Sequence, residues 1–98
     1  MNSPASTVAV DGTQDKQLVA TSKNGTYYGL AVRETSSSAS AVLRIREGGA
    51  TGRILETISL AASESRSEFY VAGLAFASGL YEDWVSGAYE GSVRYEAA

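Results

Sequence analysis

"YYGLAVRETSSSASAVLRIRE", residues 27–47, decides the architecture. Its first part alternates with period two: Tyr28, Leu30 and Val32 fall on one face, Gly29, Ala31 and Arg33 on the other. The polar run 36–40 interrupts the pattern. It then resumes with Ala41, Leu43 and Ile45 inward and Val42, Arg44 and Arg46 outward. Side chains alternate across a strand, so each half reads as a strand with one buried and one solvated face. The SSSAS between them is a loop.

The same grammar extends both ways. Upstream, "QLVATS" (17–22) is a core strand, and "KNGT" (23–26) is a turn whose Asn-Gly pair suits a type I′ hairpin. Downstream, "GGATG" (48–52) is the most flexible turn, and "RILETISL" (53–60) is a strand in which Leu55 breaks the alternation. Ile54, Ile58 and Leu60 share one parity there. "AASESRS" (61–67) reads as a loop, and "EFYVAGL" (68–74) sets Phe69 and Val71 on one face. "GLYEDWV" (79–85) places Leu80, Glu82 and Trp84 together. In "AYEGSVRYE" (88–96), Tyr89, Gly91, Val93 and Tyr95 oppose Glu90, Ser92, Arg94 and Glu96.

The result is seven or eight short strands with a turn about every ten residues and no helix of three turns. Strands of ~5–6 residues joined by tight loops stack two sheets around one core. The expected fold is all-β, a small antiparallel β-sandwich of the jelly-roll or immunoglobulin-like kind. With 98 residues, 44% of them apolar, the chain has room for one core. Residues 1–16 read as an extended N-terminal arm, in which "TVAV" (7–10) can pair as a short strand, and 17–98 as the sandwich domain.

Composition excludes much chemistry. The net charge is −3, and acidic residues are interspersed among the arginines, so no coherent positive face is written for nucleic acid. Cysteine and histidine are both absent. That removes thiolate sites, disulfides, the usual general base and the commonest transition-metal ligand. Glu82 and Asp83 are neighbours on a strand and point to opposite faces, so they cannot flank a substrate as a carboxylate pair. No catalytic, cofactor-binding or metal residue is assigned. "DGTQD" (11–15) lacks the ligand number of a calcium loop, and "EGGATGR" (47–53) lacks the lysine and helix of a phosphate-binding loop. No apolar run approaches the ~20 residues of a membrane helix, and the first residues do not read as a secretory leader.

Two functional features remain. Outward strand positions include the small or apolar Ala31, Val42, Leu55 and Ala72, where a monomer normally spends charge. The aromatics Tyr27, Tyr81, Trp84 and Tyr89 are candidates for an oligomer contact or, as in sandwich carbohydrate-binding modules, a sugar platform; tyrosine serves core and interface alike.

From Tyr27 to Glu96 the chain resembles the small all-β virion proteins of tailed bacteriophages, above all capsid decoration proteins. The resemblance lies in "GTYYGLAVRETSSSASAVLRIREG", then "ETISLAASES", then "GLAFASGLYEDWVSGAYEGSVRYE". It implies a non-enzymatic protein made in the bacterial cytoplasm and assembled on the capsid exterior. Its partner would be the major capsid protein, and it would act as a homo-oligomer, a trimer by preference. A neck, tail or fibre-associated role shares these features. The arm, with Pro4, Thr7, Val8, Val10 and Asp11, is the expected partner-binding segment.

Overall fold

The structure, a computed structural model, describes residues 6–98. Eight strands follow in chain order: β1 (Ser6–Asp11), β2 (Lys16–Val19), β3 (Gly25–Glu34), β4 (Ala41–Glu47), β5 (Ile54–Leu60), β6 (Ser65–Phe76), β7 (Leu80–Ser86) and β8 (Tyr89–Ala97). No helix occurs among the described residues. One sheet has the order β1-β8-β3-β6 and the other β2-β7-β4-β5, with every pairing antiparallel.

That order decides between the two sandwich types. β1 pairs with β8, β2 with β7, β3 with β6 and β4 with β5. The chain doubles back at residues 48–53, and the doubled ribbon rolls into two facing sheets. This is the eight-stranded jelly roll.

The core lies between the sheets. Leu30, Leu43, Ile45, Leu80 and Val93 are fully buried, with Val32, Ile58, Leu60 and Tyr89 nearly so. Complete burial of one such aliphatic side chain stabilises by about 1.5–3 kcal/mol, so these inward rows hold the sheets together. Two acids share the interior. Glu82 accepts a hydrogen bond from the Tyr89 hydroxyl, and Glu34 accepts from backbone N–H groups of Ser36, Ser37 and Ser63.

The departures from simple alternation are bulges. In β3 the register slips between Tyr27 and Gly29, so Tyr27 turns inward and is fully buried, while Tyr28 lies outside. The expectation that Tyr28 faces the core is thereby corrected. Between β4 and β5 an extra residue at Leu55 sends that side chain against the core and leaves Ile54 exposed. Leu55 is therefore not an outward position. In β7 an extra residue, Val85, follows Trp84.

Three boundaries also move. "KNGT" joins strands of different sheets and is a corner, not a hairpin; neither Asn24 nor Gly25 has positive φ. β6 begins at Ser65, inside the stretch read as a loop. From Ser6 onward the expected arm lies in the sandwich, as β1 on the edge of one sheet, with β2 starting at Lys16.

Candidate functional site

The bulge in β3 builds the most distinctive surface of the molecule. Tyr27 pairs with Leu74 and Gly29 with Phe69, so residues 70–73 of β6 loop out opposite the single residue Tyr28. Gly29 is required there. Its φ is 121°, and a Cβ would stand 2.0 Å from the Glu68 carbonyl oxygen. Turned outward, Tyr28 stacks on Phe69, with ring centroids 6.4 Å apart and planes 22° from parallel. Phe69 is 61% exposed and Val71 86%. Together with Tyr28 they form an apolar ridge at the edge of the sheet.

Beside the ridge, the outer face of the same sheet carries a row of small side chains. Register aligns Ala9, Ser92, Ala31 and Ser67 in one row across β1, β8, β3 and β6. The close strand approach includes Gly91, where a Cβ would lie 2.0 Å from the Ala31 carbonyl oxygen. An exposed Arg33–Glu90 ion pair of 2.6 Å borders the row on one side. On the other side the next row runs Thr7, Arg94, Gly29, Phe69.

Behind the ridge, where β5 and β6 edge the two sheets, Glu56 accepts hydrogen bonds from both the Tyr27 and Tyr70 hydroxyls. The two rings are tilted by 53° at 6.3 Å. Burial is the main force pushing the Tyr27 phenol up, and its bond to Glu56 adds to it. Tyr70 is pushed up to about 12, first by its bond to Glu56. This arrangement locks the two sheet edges together. Both hydroxyls are donors holding a carboxyl, and neither is poised to lose its proton.

The other acids serve the scaffold in the same way. Asp83 takes a 2.8 Å bond from Arg46, which also donates to the Gly52 carbonyl at 2.7 Å. Glu47 receives the Ala77 N–H and the Arg53 guanidinium. Glu34 is held down to about 2, chiefly by its bond with the Ser36 side chain and then by backbone N–H groups, and it fastens two loops in which Ser37 and Ser63 have positive φ. Among the described residues, no group of three or more acids gathers to hold a metal ion.

The residues singled out from sequence are distributed as follows. Pro4 lies outside the described residues. Thr7 is exposed on the outer face of β1, Val8 packs against the core, Val10 is buried, and the Asp11 backbone pairs with Glu90. Tyr27 and Tyr89 are buried, so neither ring is available to a ligand or an oligomer contact. Burial overturns that expectation for both. Tyr81 and Trp84 remain near the surface of the other sheet, where Asp15 accepts from the Tyr81 hydroxyl at 3.1 Å and the Trp84 backbone N–H at 2.9 Å. The four aromatics thus form no common platform.

What the sequence reading missed is the ridge. Its signal was present: Phe69 and Val71 share parity with Ser65 and Ser67, an outward series. Searches of protein-family models, curated proteins and solved structures found no match to this chain.

Proposed function

We propose that this chain is a non-enzymatic structural protein of a bacteriophage particle, seated on the outer surface of the capsid and tying neighbouring copies of the major capsid protein together. The observation that carries the reading is the ridge of Tyr28, Phe69 and Val71 beside a row of small side chains. Exposed apolar groups of this kind mark protein–protein contact surfaces, and the small side chains of the neighbouring row let a second surface approach closely. The carboxyls described above are engaged in holding loops and sheet edges, which suits a scaffold.

Two further supports give the setting. Residues 27–96 resemble capsid decoration proteins in strand order and style. The jelly roll recurs in viral capsid domains, and also in lectins and cupins, so fold is analogy and the surface is the argument. A sugar-binding role has less support, because Tyr27 and Tyr89 are inside the core.

The test is to purify particles on a density gradient and quantify this chain against the shell protein. A fixed copy ratio, with antibody labelling on the shell exterior, is expected. Particles without the chain, or a chain confined to neck or tail, overturn the capsid assignment.

A further inference from the structure

We propose that two copies of this chain associate through the free edge of β6, pairing antiparallel about a two-fold axis at Ser67. Among the described residues, β6 is the last strand of its sheet and is partnered only by β3. The Glu34 N–H donates to the Glu64 carbonyl at 2.8 Å, which fixes the phase of that pairing. Main-chain groups alternate between the two sides of an antiparallel strand. Arg66 and Glu68 therefore bond toward β3, opposite Val32 and Leu30, while the N–H and C=O of Ser65, Ser67 and Phe69 face outward.

The sequence of that edge, "ESRSEF" (64–69), is charge-complementary to itself when reversed about Ser67. Ser67 then meets the partner's Ser67, and Ser65 meets the partner's Phe69, in pairs that exchange hydrogen bonds. Arg66 meets the partner's Glu68, and this occurs twice by symmetry. Those two contacts fall at non-hydrogen-bonded positions, where side chains of an antiparallel pair approach most closely. A partner centred on Phe69 would have to pair with the looped-out residues 70–73, and one centred on Ser65 would run off the start of β6. An axis at Arg66 or at Glu68 would set that residue against its own copy, like charge against like. The Ser67 register uses the regular part of the strand and opposes unlike charges.

Charged residues on an edge strand ordinarily deter pairing with other strands. Here the same Arg66 and Glu68 repel an arbitrary strand and accept their own, which makes the edge selective. Each Phe69, 61% exposed in the single chain, is covered in part by the partner's Ser65 strand. The pairing does not depend on attachment to a shell.

Sedimentation equilibrium of the purified full chain, from roughly 10 μM to roughly 1 mM, tests this over the range suited to so small an interface. A monomer–dimer equilibrium is expected. R66E sets like charges opposite each other twice and should weaken dimerisation about tenfold or more. R66E/E68R exchanges the charges and should restore it to within about threefold. S67P removes outward donors only, so the dimer should be lost with the melting temperature of the dilute monomer unchanged. A monomer at every concentration overturns the proposal, as does an assembly indifferent to R66E or S67P. A double variant that fails to re-associate overturns it too, and an S67P chain that melts far lower shows that the Ser67 N–H is not outward.

Discussion

Truncating the two adjacent tyrosines one at a time separates the bulged strand from a straight one. Tyr27 is fully buried, its ring lies against Tyr70, and its hydroxyl bonds Glu56. Large aromatic-to-alanine truncations in a core cost about 3–5 kcal/mol, so Tyr27→Ala should lose about 4 kcal/mol. Tyr27→Phe keeps the packing and removes only the bond, which should cost about 1–3 kcal/mol. Tyr28 is on the outer face and loses a single stacked contact with Phe69, so Tyr28→Ala should cost about 0.5–1 kcal/mol. Small domains carry only about 5–15 kcal/mol in all, so the contrast is large. Urea unfolding followed by far-UV circular dichroism reads it directly, provided the denaturant slope is unchanged. Equal costs, or a larger cost at Tyr28, would refute the bulge and put Tyr28 in the core.

Both phenols bonded to Glu56 hold their protons above the ordinary value of 10.0 in the folded chain, whereas unfolded phenols ionise near it. The stability this supplies is complete below pH 10 and should drain away as the pH rises beyond it, more gently in Tyr27→Phe; an identical alkaline slope in a Tyr27→Phe/Tyr70→Phe variant would count against the linkage. Glu34 shifts the opposite way, held to about 2 against an ordinary 4.5, so its contribution is present above pH 4.5 and is lost as the pH falls toward 2. Glu34→Gln should lower the melting temperature at neutral pH and converge with the parent in acid, and parallel pH curves would exclude that role. Trp84 is 36% exposed and its indole donates to the Gly87 carbonyl at 2.9 Å, so Trp84→Ala should cost about 1–2 kcal/mol in the same denaturation assay, well short of a core tryptophan.

The strands and inward rows were legible because alternation is a two-residue rule, and Leu43, Ile45, Leu80, Tyr89 and Val93 obey it. A bulge adds one residue and reverses the rule beyond it. Leu55 announced its bulge by breaking parity; Tyr27 and Tyr28 did not, being the same residue type at adjacent positions. Asn24-Gly25 looked like a hairpin because local turn chemistry does not reveal that the flanking strands enter different sheets. At the surface, Phe69 and Val71 lay on one parity, but which face was wet depended on β6 starting at Ser65. The engagement of Glu56 by Tyr27 and Tyr70, of Glu82 by Tyr89 and of Glu34 by Ser63 could not be read at all, since these partners lie 7 to 29 residues away.

The doubled-ribbon topology has a consequence for how the protein is made. Among the described residues, every strand pairing joins one of β1–β4 to one of β5–β8. While a ribosome has produced only the first half, none of its strands has a mate, and β1 waits for β8, the last to emerge. The chain therefore cannot mature piecemeal. The β4–β5 hairpin closes the shortest span, and pairing must spread outward from it toward the two termini. A nascent chain stalled near residue 50 would present bare strands to its neighbours, and chaperone contact should be concentrated in that interval.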